Sequence, residues 1–374
     1  MNKKILISCI TCLVVFVFCL SAGCIANGPV SGDETITVID DLGREVVIPA
    51  DVKTVAMAGL GSSRYTVYLQ AEDMIIGVDS TDNSTIPNTR PYMLAHPEIA
   101  KMPLLGANKV AITAELALQI NPDVIIYSVN GPEGSAAADE ATERTGIPVV
   151  CFYQYDPADE FDKFAFNMRL LGTVLGKEQR AEEVLTFFGD MRADLIKRTP
   201  DMEMSEKPVV YLGGASFRGA HGMTSTREAF IGFTLLSANQ KLSGTGVSVT
   251  TLAKEKILEW DPDMIFIDLA TREAAGGGAL YELKTDPSYQ GLSAVINGEI
   301  YAVLPDSTCK ANHGTSFANA YYVGTVLYPE QFKDIDPEKK ANEIFTFLVG
   351  KPVFDQMFAN SGSLAYQKVD LSTI

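Results

Sequence analysis

The side chains best suited to chemistry in this sequence are arginines, tyrosines and histidines that follow predicted strands. Ligands of open α/β sheets bind beyond the carboxyl ends of the strands, so these positions predict the walls of a binding cleft. Arginine meets anions through parallel hydrogen bonds and stays charged, whereas tyrosine offers a flat apolar face and one hydroxyl. The candidates are Ser62, Arg64, Tyr65, Arg90, Tyr92, Tyr153 and Tyr155 in the first half, and Phe217, Arg218, His221, Arg272, His313 and Tyr322 in the second. We expect part of this set to contact a small molecule.

Catalytic motifs do not accompany these residues. The sequence contains neither a GxSxG elbow nor an HExxH zinc motif. A hydrolase would have to assemble its triad from distant residues, for example Ser225 with His221. Gly276, Gly277 and Gly278 follow a predicted strand but lack the Lys-Ser/Thr of a phosphate-binding loop, so they indicate a flexible loop. Binding without catalysis is the favoured interpretation, and a secreted hydrolase is the distant alternative.

The three histidines, His96, His221 and His313, do not predict a metal site. A bare transition-metal site needs histidines and carboxylates that converge, and His96 precedes a proline in a loop unrelated to the strand ends. We predict no protein-bound metal ion and no resident cofactor. A role for His221 or His313 in completing the coordination of a bound corrin or haem stays open.

Length and charge exclude some function classes. A chain of 374 residues is long for one core, which favours two domains. Its formal net charge of −17 makes nucleic-acid binding a poor interpretation, because that function needs basic patches to meet phosphate. The same acidity suits a soluble protein that recognises a basic partner surface.

The N-terminus predicts export and lipid attachment. Lys3 and Lys4 precede an apolar run over residues 5–20 that is too short and wrongly flanked for a membrane span. The sequence Leu-Ser-Ala-Gly-Cys then ends at Cys24 and resembles a lipobox, so residues 1–23 are expected to be a signal peptide and Cys24 the lipidated residue. A cleaved signal peptide with an incidental cysteine is the alternative. Residues 24–34 are predicted to be a flexible tether, so the protein would sit on the outer face of the cytoplasmic membrane.

The cysteines do not form a disulfide framework. Four of the six lie in the leader or at the predicted lipid site, namely Cys9, Cys12, Cys19 and Cys24. Cys151 and Cys309 remain, either as buried thiols or as one bridge between lobes. No CxxC pair indicates structural zinc.

Strand and helix patterns alternate along both halves, which predicts parallel sheets covered by helices. The first half shows a hairpin over 35–49, strands at 53–58, 74–79, 123–127 and 147–153, and helices at 64–70, 112–120 and 136–145. The second half shows strands at 208–212, 264–268 and 299–304, and helices at 227–237, 251–260, 317–327 and 337–349.

A long helical segment separates the two halves. Asp156 and Pro157 suit the cap and first turn of a helix, and an apolar stripe then runs to a stop at Gly176. Residues 177–198 predict a second amphipathic helix. The segment is either a strut between two lobes or one more surface helix of a single domain.

An internal echo favours two lobes. Residues 115–126 and 255–266 each predict a helix that stops before Pro-Asp and enters an apolar strand. The proline ends the helix because it disfavours the α conformation of its predecessor. We predict an N-terminal α/β lobe over 35–155, an inter-lobe helix over 156–176 and a C-terminal α/β lobe over 177–374.

These features together resemble the helical-backbone class of ABC-transporter substrate-binding lipoproteins. The lipobox, the opening DDLGREVVIPADVKTVA, the two strand entries NPDVII and DPDMIFI, and the central LLGTVLGKEQRAEEV occur in the order of that family. The resemblance implies two Rossmann-like lobes joined by a single long rigid helix, with the ligand in the cleft between them. It also implies a monomer that binds a small-molecule metal complex, most of all a ferric siderophore, with a corrinoid or haem as the alternative.

The resemblance further implies a permease and its ATPase as partners. In this family each lobe presents a carboxylate to the permease, seven residues before the proline of the Pro-Asp strand entry. The matching positions are Glu115 and Glu255. An exposed rim charge mainly steers and orients a complex. The alternative is that both are ordinary solvated helix acids.

Overall fold

The computed structural model describes residues 34–83, 89–106, 111–216, 219–242 and 250–374. The predicted signal peptide, Cys24, nearly all of the tether, Phe217 and Arg218 lie outside these ranges. No helix within them is long and apolar enough to span a membrane.

Twelve strands occur in the described ranges. In chain order the strands are β1 (Thr35–Ile39), β2 (Glu45–Pro49), β3 (Val55–Ala58), β4 (Ile75–Gly77), β5 (Val124–Ser128), β6 (Val149–Phe152), β7 (Val209–Gly213), β8 (Ser225–Thr226), β9 (Asn239–Gln240), β10 (Thr250–Thr251), β11 (Met264–Asp268) and β12 (Ile300–Val303).

The strands form two parallel sheets with the same order. The first sheet runs β4-β3-β5-β6 and the second runs β9-β7-β11-β12. In each sheet the two central strands pair with each other, β3 with β5 and β7 with β11. β1 and β2 form the predicted antiparallel hairpin, and β8 pairs with β10. The predicted α/β fold with two lobes is confirmed.

Helices of both lobes surround these sheets. In chain order they are α1 (Ser62–Tyr68), α2 (Pro91–Ala95), α3 (Ala114–Ile120), α4 (Glu133–Thr145), α5 (Phe161–Leu175), α6 (Glu178–Arg198), α7 (Ile231–Thr234), α8 (Lys254–Trp260), α9 (Gly278–Thr285), α10 (Ser293–Ile296), α11 (His313–Leu327), α12 (Pro337–Val349) and α13 (Phe354–Asn360).

The sequence echo corresponds to one structural unit that occurs twice. α3 leads into β5 and α8 leads into β11, and each helix ends on a residue with left-handed backbone, Asn121 at φ 51° and Asp261 at φ 38°. The aspartate of each Pro-Asp pair then bonds the neighbouring strand. Asp123 accepts from the amides of residues 53 and 54 at 2.8 Å, and Asp263 accepts from the amide of Val209 at 2.7 Å. The motif therefore fixes the register of the two central strands in both lobes.

The chain passes from the first sheet to the second through α5 and α6. α5 begins at Phe161, later than the sequence predicted, because Asp156 closes a local turn instead of capping the helix. Its Oδ1 accepts from the amide of Ala158 at 2.8 Å, a bond that aspartate readily makes two residues along the chain. The helix ends at Leu175 before Gly176, as predicted.

A series of aromatic rings in contact joins the two lobes. Phe164 of α5 lies 5.3 Å, centroid to centroid, from Phe188 of α6, and Phe188 lies 5.3 Å from Phe317 of α11. Tyr65 of α1 continues the series and packs against Phe152 of β6 at 5.0 Å. Because this core is continuous, residues 34–374 form one compact unit. The predicted domain boundaries within that unit stay predictions.

Phe164 tests the importance of this shared core. Replacing it by leucine is expected to lower the free energy of unfolding by about 1–2 kcal/mol, because buried volume and edge-to-face ring contacts are lost. Phe166 of the same helix is 45% exposed and provides the matched control, since Phe166→Leu should change stability by less than about 0.5 kcal/mol. Urea denaturation followed by circular dichroism measures both, and equal effects would contradict a continuous core at Phe164.

Two predictions of local structure are wrong. The helix predicted over 227–237 is only the short α7, because β8 occupies the preceding segment. The glycines at 276–278 are not a flexible loop: all three have positive φ, and Gly278 begins α9. A Cβ on Gly278 would lie 2.1 Å from the carbonyl oxygen of Thr271, so this close approach requires glycine.

Candidate functional site

The carboxyl ends of the two sheets meet at a loop of the second lobe. Residues 306–312, between β12 and α11, reach across to the first lobe. Arg64 Nη2 donates to the carbonyl of Cys309 at 3.0 Å, and Lys310 Nζ donates to the carbonyl of Val129 at 3.3 Å. We call this contact region the interlobe seam: residues 306–312 together with the first-lobe strand ends at 59–64, 128–129 and 153–156.

Arg64 is the best-defined predicted residue of the seam. Its side chain is fully buried at the start of α1. Nε donates to Asn312 Oδ1 at 3.2 Å and Nη1 donates to Gln154 Oε1 at 3.0 Å. Its hydrogen-bond acceptors are neutral oxygens, and no carboxylate in the described ranges lies within ion-pair distance. A buried cation without a counterion is costly, so this position favours a negatively charged ligand.

The loop that meets Arg64 has an unusual backbone. Cys309 and Lys310 are consecutive residues with left-handed conformation, at φ 52° and φ 68°, and neither is glycine. Such residues each cost about 1–3 kcal/mol and persist where surrounding contacts hold them. Gly61 is one such contact surface, since a Cβ there would lie 2.7 Å from the Cys309 carbonyl oxygen. The first lobe is therefore shaped to receive this loop.

Lys310 adds a second positive charge at the seam. Burial, and then the charge of Arg64, lower the pKa of the Lys310 ammonium to about 8. Within the part of the chain that the structure describes, its only hydrogen bond is the one to Val129, and no carboxylate pairs with it. Two cations from opposite lobes thus lie at the seam without acidic partners.

Arg90 and Tyr92, both predicted, form a neutralised cluster beside Arg64. Arg90 Nη1 lies 2.9 Å from Asp82 Oδ1, and the Tyr92 hydroxyl donates to the same oxygen at 2.8 Å. The guanidinium carbons of Arg64 and Arg90 lie 5.3 and 5.9 Å from the Tyr92 ring centroid. Arg90 also contacts Cys309 Sγ at 3.7 Å, so this cluster packs against the seam loop.

Tyr65 and His313, which were predicted separately as cleft residues, contact each other inside the core. The Tyr65 hydroxyl and His313 Nε2 are 3.0 Å apart, and the two side chains are 0% and 1% exposed. Burial, and then the charge of Arg64, lower the pKa of His313 to about 3, so its imidazole is neutral. Because the two polar groups satisfy each other within the aromatic core and carry no charge that needs a counterion, we leave both out of the proposed binding set.

Tyr153 and Tyr155 line the first-lobe edge of the seam. Both are partly exposed, and their ring centroids are 6.0 Å apart. Asp41 fixes this segment, since its carboxylate accepts from the Tyr153 amide at 2.8 Å and from the Tyr155 hydroxyl at 3.4 Å. The pair presents two adjacent aromatic rings where a ligand would enter.

A buried acidic cluster lies on the second-lobe side. Arg227 bonds Asp306 Oδ1 at 2.6 Å and lies 3.6 Å from Asp268 Oδ2. Burial raises the pKa of Asp268, and that of the nearby Asp156 in the first lobe, to about 7. Asp268 and Asp156 therefore carry less than full negative charge at neutral pH.

Of the remaining predicted residues, Ser62 lies within the seam, whereas Arg272 and Tyr322 lie elsewhere. Ser62 is buried in α1, and its hydroxyl has no hydrogen-bond partner among the described residues. Arg272 is exposed and donates to the Gly362 carbonyl at 3.2 Å, in the C-terminal segment. Tyr322 stacks on Tyr366 in the second-lobe core, at 4.6 Å.

The histidines do not converge. His96 Nε2 contacts the carbonyl of Val349 at 3.0 Å, His313 is in the core, and His221 is half-buried in the loop after β7. In the described ranges, no three His, Cys, Asp or Glu side chains are placed to hold a metal ion. Cys151 and Cys309 are both free thiols.

Ser225 is not placed as a nucleophile. Its side chain is buried, and Oγ donates to the carbonyl of Ala215 at 2.7 Å. This bond ties β8 to the loop after β7, which is a structural role. The serine suggested as the nucleophile of the hydrolase alternative is therefore not available for that role.

Sequence reasoning missed Lys310, Gln154 and Asn312. All three follow strand ends, so the rule that selected Arg64 and Tyr153 applies to them equally. Residues 305–312 form a polar run directly after β12, which is the signal that could have identified Lys310. What the run does not reveal is that its backbone bends back onto the other lobe.

Comparisons with known proteins agree on one family. The profile described as "Periplasmic binding protein" matches residues 59–306, a range that contains Arg64 and every strand of the two parallel sheets except β3. The molybdate-binding protein MolA of Haemophilus influenzae is 23% identical over 330 residues, which is 82% of this chain and 89% of that protein.

Solved structures show the same fold. A periplasmic solute-binding protein from Veillonella parvula superposes with a TM-score of 0.69 at 16% identity, covering 88% of this chain and 99% of that one. MolA bound to molybdate superposes with a TM-score of 0.65 at 18% identity, covering 84% and 98%.

Proposed function

The chain belongs to the periplasmic binding protein family, and we propose that it captures an anionic metal compound in the interlobe seam. It is an extracytoplasmic solute-binding protein of an ABC transporter, and the similar proteins named above are binding proteins, not enzymes. The family predicted from the sequence is confirmed.

One observation supports an anionic ligand above all: Arg64 is a fully buried guanidinium with no carboxylate partner among the described residues. A protein tolerates such a charge where a ligand supplies the counterion. Arginine meets the oxygens of carboxylates and other oxyanions through parallel hydrogen bonds, which are roughly twice as strong as bonds between neutral groups. The seam therefore suits an oxygen-rich anion.

A compact metal oxyanion, such as molybdate or tungstate, is our first candidate ligand. The seam loop already contacts the first lobe at 3.0 and 3.3 Å, so a compact anion requires a smaller rearrangement than a bulky chelate. The Haemophilus relative is a molybdate-binding protein, which agrees with this class. This choice differs from the ligand first expected from the sequence.

A ferric siderophore is the second candidate. The adjacent rings of Tyr153 and Tyr155 favour it, because they offer aromatic surface for a catecholate or other flat chelator. A corrinoid or haem with His313 as a ligand is not proposed, since that imidazole is enclosed in the core.

Calorimetric titration of the purified protein tests the anionic class. We expect molybdate or tungstate, or failing those a ferric tricatecholate, to bind with a dissociation constant in the micromolar range or below. Cyanocobalamin, a neutral corrinoid, is the control and should not bind. Binding of cyanocobalamin with no heat from any of the anions would contradict the proposal.

The remaining parts of the transport system follow from the family and the leader. We propose that Cys24 carries lipid, so that the protein is held as a monomer on the outer face of the cytoplasmic membrane. Its partners would be the permease and the ATPase of the importer, and nucleic acid would not be one of them. Mass spectrometry of the N-terminal peptide tests the anchor, and an unmodified Cys24 would contradict it.

We propose that Glu115 and Glu255 contact the permease. Each is the second residue of its helix, α3 and α8, and these helices are the two copies of the repeated unit. Both side chains are exposed, and Glu115 lies 3.0 Å from the exposed Arg144. An exposed pair of this kind contributes little energy and can exchange partners readily. One carboxylate in each lobe would let a permease with basic pockets recognise both lobes.

A further inference from the structure

We propose that Lys310 is the second-lobe half of an anion clamp, which closes on the ligand together with Arg64 of the first lobe. This inference rests on the proposed function and names the residue that sets its selectivity for doubly charged oxyanions. Arg64 and Lys310 come from opposite lobes and meet at one loop, and among the described residues their side chains donate to neutral oxygens only.

The guanidinium of Arg64 is held by several hydrogen bonds, whereas in the described part of the chain the ammonium of Lys310 is held by one. Arg64 is held by Asn312, Gln154 and the Cys309 carbonyl, so its orientation is set before the ligand arrives. Lys310 is held by a single bond of 3.3 Å to the Val129 carbonyl. A carbonyl is a weaker partner for ammonium than an anion, so an oxyanion bonded to Arg64 can replace Val129 as the acceptor.

Two cations favour a doubly charged ligand over a singly charged one. Like charges at close range repel, and Arg64 acts in this way on Lys310. A dianion relieves that repulsion completely, whereas a monoanion balances only one of the two charges. Molybdate, tungstate and sulfate therefore belong to the favoured class, and nitrate and formate do not.

Binding of a dianion should also bring in a proton. The pKa of Lys310 is about 8 because burial and then Arg64 disfavour its charged form, so about half of the molecules lack that proton at pH 8. A bound dianion favours the ammonium and raises the pKa, so the complex gains protons from solution near pH 8 and gains none at Lys310 near pH 6. Asp156 and Asp268, which face the seam from the acidic cluster, change protonation near pH 7 and contribute separately.

Calorimetry with sodium molybdate at pH 8 and pH 6, in buffers of different ionisation enthalpy, measures this proton uptake. Lys310→Arg keeps a permanent charge, so we expect affinity within about threefold of the original protein but loss of the Lys310 proton uptake at pH 8. Lys310→Met should lose the same uptake and weaken binding about tenfold or more. Lys339→Met, at an exposed site on α12, is the control and should change neither quantity.

The outcomes separate this inference from the proposed function. If the original protein binds molybdate but Lys310→Met binds equally well, or if proton uptake at pH 8 is as large in both Lys310 variants as in the original protein, the clamp is wrong and the anion receptor stands. If the original protein binds none of the anions, the proposed function fails and the clamp fails with it. Thermal unfolding of each variant shows that a loss of binding is not a loss of folding.

Discussion

Replacing Arg64 by methionine is expected to weaken molybdate binding by about 30-fold to 5,000-fold. This range corresponds to the roughly 2–5 kcal/mol lost when one partner of a buried, hydrogen-bonded charge pair is truncated. The side chain is fully buried and meets only neutral protein oxygens in the described ranges, so the ligand would be its only counterion. Titration calorimetry at constant salt measures the change.

The stability of the Arg64→Met protein should change far less than its affinity. The substitution removes a buried, unpaired charge, which is favourable, but it leaves the oxygens of Asn312, Gln154 and Cys309 without their donor, which is not. These effects oppose each other. Arg169→Met on α5 is the control, because Arg169 forms an exposed pair with Glu182 at 2.6 Å, and its affinity should stay within about twofold.

Unchanged molybdate affinity in Arg64→Met would show that residues other than Arg64 balance the charge of the ligand. A large loss of stability together with the loss of binding would instead assign Arg64 a structural role. The two measurements together therefore distinguish a ligand contact from an interlobe support.

Reversing both lobe acids, Glu115→Lys with Glu255→Lys, is expected to abolish uptake while leaving molybdate binding unchanged. The two residues occupy equivalent positions at the start of α3 and α8 and are exposed, far in sequence from the seam. Like charges brought together in a complex cost several kcal/mol, which is sufficient to prevent productive docking on basic permease pockets. Uptake of radioactive molybdate by cells that contain the cognate permease measures the effect.

A matched double reversal controls for net charge. Glu183→Lys with Glu343→Lys changes the net charge by the same amount at exposed positions on α6 and α12, away from α3 and α8, and should transport normally. Because Glu115→Lys also places a lysine beside Arg144, the milder pair Glu115→Gln with Glu255→Gln is informative as well. Full uptake in the reversed protein would remove the docking proposal.

Much of the fold could be predicted because its signals are local. Buried parallel strands appear as short apolar runs, and the Pro-Asp entries mark where a helix must stop and a strand begin. The repeat of that entry predicted two lobes, and Asp123 and Asp263 show why it occurs, since each fixes a strand to its neighbour. The predictions at Asp156 and Gly278 were wrong because the first depends on a side-chain hydrogen bond and the second on a close backbone approach. A helical pattern in the sequence records neither.

The candidate site could be predicted only in part. The strand-end rule selected Arg64 and Tyr153, which lie in the seam and whose contact with a ligand stays a prediction. It also selected Tyr65 and His313, which the aromatic core encloses. It missed Lys310, because its importance comes from a loop that folds back across the lobes through two left-handed residues. Burial and long-range contact decide these cases, and neither leaves a local pattern in the sequence.

Diffraction from crystals grown with sodium molybdate, measured at the molybdenum absorption edge, tests the central claim most directly. The account predicts one strong anomalous peak in the interlobe seam, with oxygens of the anion in hydrogen-bond range of the Arg64 guanidinium and the Lys310 ammonium. A peak bound elsewhere, for example at the exposed Arg272, with the bonds from Arg64 to Cys309 and Asn312 unchanged, would contradict it.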